Sequence, residues 1–170
     1  MFSSIESTPL PSGALLEVYQ RPDCYVDCFS VSCTSGVAHS RWLEAFLGSR
    51  VFRLERAVLR TLARADSSDG AVAALVAGDA ESFAVWTVEH RTPQELLLRD
   101  RSARTRTWWR TQPEAHGVRL YFGSALVPKA RAEEGEAAGT IDGWRWSIPL
   151  HRAYSRFLVS SACARLQAFS

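Results

Sequence analysis

Residues 83–127, FAVWTVEHRTPQELLLRDRSARTRTWWRTQPEAHGVRLYFGSALV, decide the fold. Aromatic and β-branched residues recur through short runs, and each run stops at turn chemistry: Thr92-Pro93-Gln94, Arg101-Ser102-Ala103, and 112–117 with its closing glycine. Strands at 83–91, 95–100, 104–111 and 118–127 follow. The separations are too short for crossover helices, so antiparallel hairpins are the natural arrangement.

The flanks complete the architecture. Over 24–32, Tyr25, Asp27, Phe29 and Val31 alternate with Val26, Cys28, Ser30 and Ser32, which predicts one more strand. Two short helices come next. Trp42, Leu43, Phe46 and Leu47 repeat at helical spacing up to Gly48, and Ser49 caps a second stripe of Val51, Leu54, Val58 and Leu62. A small-residue run at 71–77, ended by Gly78, reads as helix after a polar linker at 65–70. Residues 1–22 hold three prolines and form an N-terminal arm, with Leu15, Leu16 and Val18 as a docked segment. The acidic, glycine-containing segment 129–143 is expected to be a mobile loop. Ser147 and Pro149 then open a helix at 148–168 with a stripe of Tyr154, Leu158, Ser161, Ala162, Arg165 and Leu166. A stripe that long must be buried, and the sheet is the available partner. The expected fold is therefore α+β: a single domain over 23–170, with a curved antiparallel sheet wrapped around the C-terminal helix and a cavity between them.

Composition narrows the function classes. The 170 residues are 46% hydrophobic and 22% charged, with a formal net charge of +2, which suits one globular domain. No apolar run approaches the roughly 18 residues of a membrane span, and the first residues lack the pattern of a secretory signal, so a cytoplasmic location is expected. Cys24, Cys28, Cys33 and Cys163 then read as reduced, buried or half-buried thiols. On a strand, Cys24 and Cys28 would stand about 13 Å apart, too far to bridge. His39, His90, His116 and His151 show no paired metal-ligand spacing, and there is no phosphate-cradling or dinucleotide glycine motif. Neither metal nor cofactor is expected. The near-neutral charge argues against nucleic acid as a partner. Arg99, Arg101, Arg104, Arg106 and Arg110 read as a solvated strand face.

Candidate site residues follow from position. His151 lies near the start of the long helix, with Ser155 one turn on, and is the best acid–base group. Tyr154 stands beside it. Trp108 and Trp109 must point to opposite sheet faces. Trp109, on the face with Thr105, Thr107 and Thr111, is the inward choice. Asp27 is an acid on the apolar Tyr25/Phe29 face and is expected to pair with an arginine such as Arg106. Gly123-Ser124 lacks the flanks of a nucleophile elbow and reads as a strand glycine allowing close packing.

The order of elements resembles the helix-grip superfamily, also called START-like or SRPBCC. More closely, the chain resembles an uncharacterised bacterial branch of that superfamily related to polyketide cyclases. The stretches that carry the resemblance are 23–31 (DCYVDCFSV), 82–100 (SFAVWTVEHRTPQELLLRD), 104–109 (RTRTWW), 119–128 (RLYFGSALVP) and 151–161 (HRAYSRFLVSS). The resemblance implies a cavity without implying an enzyme. Three functions are carried forward. One is binding of a small apolar or aromatic molecule by Trp108, Trp109, Arg106, Tyr154 and His151. Another is a cyclase- or aromatase-like enzyme with His151 handling protons. The third is an interaction module with a filled interior, its exposed aromatics serving a partner or a homodimer.

Overall fold

The computed structural model describes residues 1–54, 68–128 and 147–168. Seven strands form one sheet: β1 (Glu6–Ser7), β2 (Tyr25–Cys33), β3 (Ser82–Phe83), β4 (Trp86–Thr92), β5 (Glu95–Asp100), β6 (Thr105–Glu114) and β7 (Gly117–Leu126). Their spatial order is β1-β2-β7-β6-β5-β4-β3, and every pairing is antiparallel. The meander read from 83–127 is thus present, and β2 joins it through β7, the last strand of the meander. β6 runs on to Glu114 because Gly117, at φ +131°, closes a tight hairpin. A Cβ there would fall 2.0 Å from the Cys33 carbonyl oxygen, so only glycine fits.

Three α-helices lie wholly within the described residues: α1 (His39–Leu47), α2 (Asp69–Ala77) and α3 (Ile148–Gln167). The hydroxyl of Ser68 caps α2 by accepting from the Ala71 N–H at 3.1 Å, and Gly78 ends it in the left-handed region. The helix therefore starts ahead of the expected 71, inside the stretch read as linker. Residues 50–54 are helical, but Leu54, expected in a buried stripe, is exposed. The rest of that expected helix and the loop 129–143 lie outside the described residues.

One sheet face carries Phe29, Val31, Leu96, Leu98, Trp109, Leu120 and Phe122, packed in one core with α1 and with Leu158, Val159, Ala162 and Leu166 of α3. The second face is covered as well. The 3-10 helix Leu15–Tyr19 brings Leu16 onto a cluster with Cys28, Leu97, Trp108, Tyr121 and Ala125. Leu16 is completely buried, whereas Val18 faces solvent. Gly123 permits this approach: a Cβ there would meet Leu16 Cδ2 at 2.9 Å and Trp108 Cε3 at 3.0 Å. The arm is also bonded in place. Glu95 Oε2 accepts from the Leu15 N–H (2.9 Å) and from Trp108 Nε1 (2.7 Å).

Candidate functional site

Asp27 on β2 and Ser124 on β7 are directly opposed in register, both on the helix-facing side of the sheet. His151 stands above them in the first turn of α3, where Pro149 sets the helix start. The three side chains meet. Asp27 Oδ1 accepts from the Ser124 N–H (3.1 Å) and lies 2.7 Å from Ser124 Oγ. Ser124 Oγ is also 2.7 Å from His151 Nε2, which lies 3.7 Å from Asp27 Oδ2. Tyr25, two residues before Asp27 on the same face, donates its hydroxyl to Asp27 Oδ2 at 3.5 Å and sets its ring edge-on to the imidazole, 6.0 Å away.

Counting protons fixes the direction of this chain of bonds. An ionised carboxylate only accepts, so the single Ser124 hydroxyl proton goes to Asp27. With Asp27 ionised, Ser124 Oγ then accepts from the Nε2–H of His151. The serine proton is committed to the acid, so Ser124 bridges the two groups instead of serving as a nucleophile. The Asp27 side chain is only 3% exposed, and burial raises its carboxyl above the ordinary range. The Ser124 hydrogen bonds and the charges of His151 and Arg152 oppose that rise. Burial, then the neighbouring Asp27, pushes the Tyr25 hydroxyl up, so Tyr25 stays a donor.

His151 also forms part of the wall of a cavity of about 360 Å³ between the sheet and α3. From α3 come His151, Tyr154, Ser155 and Leu158; from the sheet come Trp86, Thr105, Thr107, Phe122 and Leu126; Phe46 of α1 and Phe52 close one side. The wall is mainly aromatic and aliphatic, with hydroxyls at Thr105, Thr107 and Ser155. Asp100 also borders it, with its carboxylate already accepting from the Arg104 and Thr105 N–H groups at 2.9 Å. Asp27 and Ser124 are not among the lining residues and reach the cavity through His151.

The residues picked from sequence divide between the two faces. His151 and Tyr154 border the cavity. Trp109 shares that face but is packed against Phe46 and Phe122, with ring centroids 5.3 and 5.9 Å away, inside the core. Trp108 and Arg106 belong to the opposite face, under the arm. Trp108 is bonded to Glu95. Arg106 pairs with Glu89 at 2.7 Å, donates to the Tyr19 hydroxyl at 2.9 Å and stacks over the Tyr19 ring. Glu89 is the extra residue at the β4 bulge between Val88 and His90, and its carboxylate also accepts from the Tyr19 hydroxyl. The expected Asp27–Arg106 pair is therefore corrected. Ser124 lies opposite both Asp27 and Thr107, so Arg106, the residue before Thr107, points away from Asp27. The close-packing role of Gly123 holds, whereas Ser124 proves to be a partner of both Asp27 and His151. Ser124, Tyr25, Trp86, Phe46 and Phe122 escaped sequence reasoning as site residues. The one available signal was an acid on an apolar strand face.

All four cysteines are free, with Cys24 half-buried and the others buried. Among the described residues, no group of three or more His, Cys, Asp or Glu side chains could hold a metal ion, and no helix is long and apolar enough to cross a membrane. Comparison with family models, with curated proteins and with solved structures finds no match to this chain.

Proposed function

We propose that the protein binds a small, largely apolar aromatic molecule between the sheet and α3, in a domain of helix-grip type, with His151 as the polar anchor. The observation that carries this reading is the cavity itself. Its volume of about 360 Å³ lies within the usual range for small-molecule sites, roughly 300–1,000 Å³. Its composition is also that of such sites: aromatic walls for contact and a few polar groups for orientation. The order of strand, short helices, meander and long C-terminal helix supports the helix-grip assignment, and with it a kinship to START-like proteins. An interaction module with a filled interior fits less well, because space remains between sheet and helix. A cyclase- or aromatase-like enzyme would use the same cavity and would need a proton-handling group on its wall.

Calorimetric titration with 2-naphthol tests the binding reading. Saturable one-site binding is expected for the wild type. It should weaken in Tyr154→Ala and vanish in Ser155→Phe, whose ring would occupy the space, while circular dichroism shows both variants folded. Equal binding by wild type and Ser155→Phe would contradict the assignment.

A further inference from the structure

We propose that Asp27, Ser124 and His151 form a serine-bridged proton relay that makes His151 Nδ1 a general base toward aromatic carbon acids held in the cavity. The inference rests on the binding reading for occupancy of the cavity and adds a chemical activity to it.

The two ring nitrogens of His151 stand in different surroundings. Nε2 is held on Ser124 Oγ at 2.7 Å, and Nδ1 is without a hydrogen bond among the described residues. In the neutral ring the single proton sits on Nε2, as the bonding direction requires, and Nδ1 presents its lone pair. A positioned base of this kind typically contributes 10²- to 10⁴-fold to a proton transfer. The acceptor side is prepared as well. When Nδ1 takes a proton, the imidazolium faces Asp27 Oδ2 at 3.7 Å. Alternatively Nε2–H passes to Ser124 Oγ while the Ser124 hydroxyl proton passes to Asp27 Oδ1, leaving a neutral ring and a neutral buried acid. Both routes hold one added proton, shared along His151, Ser124 and Asp27. Burial that favours the neutral carboxyl makes the second route accessible.

The surroundings suit uncharged carbon acids. The charged and titratable groups near the relay are Tyr25 on β2, Arg152 and Tyr154 on α3, and Asp100 at the end of β5. Tyr25 is tied to Asp27, Arg152 donates to Ser7 Oγ at 3.1 Å, and Asp100 is bonded to backbone N–H groups. None of these contacts supplies an anion-binding charge at the aromatic wall. The substrate class is a flat aromatic molecule whose C–H is acidified by an adjoining carbonyl or ring heteroatom, and the reaction is proton abstraction with electron release within the molecule.

The probe is 5-nitrobenzisoxazole. His151 Nδ1 removes the proton on the ring carbon, the C–H electron pair completes a C≡N bond, and the N–O bond breaks to give a coloured nitrophenolate. The proton then returns to water, so no further reactant is needed. Wild-type protein should turn the probe over at least 100-fold faster than His151→Ala. The rate should rise with pH as the added proton leaves the relay. Ser124→Ala and Asp27→Asn should lose tenfold or more and shift the midpoint of that profile, and Ser124→Thr, which keeps a hydroxyl, should recover part of the rate. Binding of 5-nitrobenzotriazole, which lacks the reacting C–H, reads occupancy separately, and circular dichroism reads folding. Binding of that compound together with a wild-type rate within twofold of His151→Ala would overturn the relay and spare the binding reading. Wild-type rate and profile in both Ser124→Ala and Asp27→Asn would also overturn it. Failure of the compound to bind would remove both proposals.

Discussion

His39, at the first position of α1, shows how burial sets the behaviour of a single side chain. Neither ring nitrogen has a hydrogen-bond partner, and burial, with the Arg91 charge adding to it, lowers its pKa from 6.5 to about 4. The folded protein thus keeps this ring neutral while the unfolded chain takes up a proton below pH 6.5. Stability must fall as pH drops from about 6.5 towards 4, by an amount approaching roughly 3 kcal/mol. His39→Phe removes the titration and sacrifices no hydrogen bond. Its stability relative to wild type should therefore grow over that window in urea unfolding, and a difference that does not change between pH 7 and pH 4.5 would contradict the assignment. Asp27 acts with the opposite sign. Its raised folded value favours the neutral acid, so its contribution is fullest below the ordinary carboxylate range and is lost as pH rises through the raised value.

At the scale of elements, the arm explains both what the sequence disclosed and what it hid. Strand periodicity placed the meander, and the Trp42-to-Leu47 spacing placed α1, because each signal is local. The split of Trp108 from Trp109 was equally legible, since neighbours on a strand must diverge. That both are buried was not legible, because it depends on residues 15–19 folding over the face that carries Arg106 and Arg110. Two of the arginines read as a solvated face are instead drawn into pairs there: Arg106 with Glu89 at 2.7 Å, and Arg110 with Glu95 at 3.6 Å. Glu95 ties the arm down through Leu15 and Trp108. Glu95→Ala would leave an indole N–H and a backbone N–H unpaired, so a loss of about 2–3 kcal/mol is expected. Chymotryptic cleavage after Tyr19, at the end of the 3-10 helix, should accelerate in parallel. Glu95→Gln, which keeps an acceptor oxygen, should lose less, and an alanine variant as stable and as protease-resistant as wild type would refute the strap.

At the scale of the whole molecule, the sheet is covered on both faces, and a cavity lies between it and α3. Trp86 borders that space and Trp108 lies beneath the arm. The need for α3 to pack on the sheet could be read from its stripe. The meeting of Asp27 with Ser124 and His151 could not, because it depends on the register of β2 against β7 and on the docking of α3 above them. The most direct measurement of the central claim is a two-dimensional ¹H–¹⁵N spectrum of the tryptophan indole groups and backbone amides during titration with 2-naphthol. Signals of the Trp86 indole and of Phe122, His151 and Tyr154 should move together and saturate, while the Trp108 indole and the Arg106 amide stay in place. Shifts confined to Trp108, Arg106 and the arm, or no shifts at all, would contradict it.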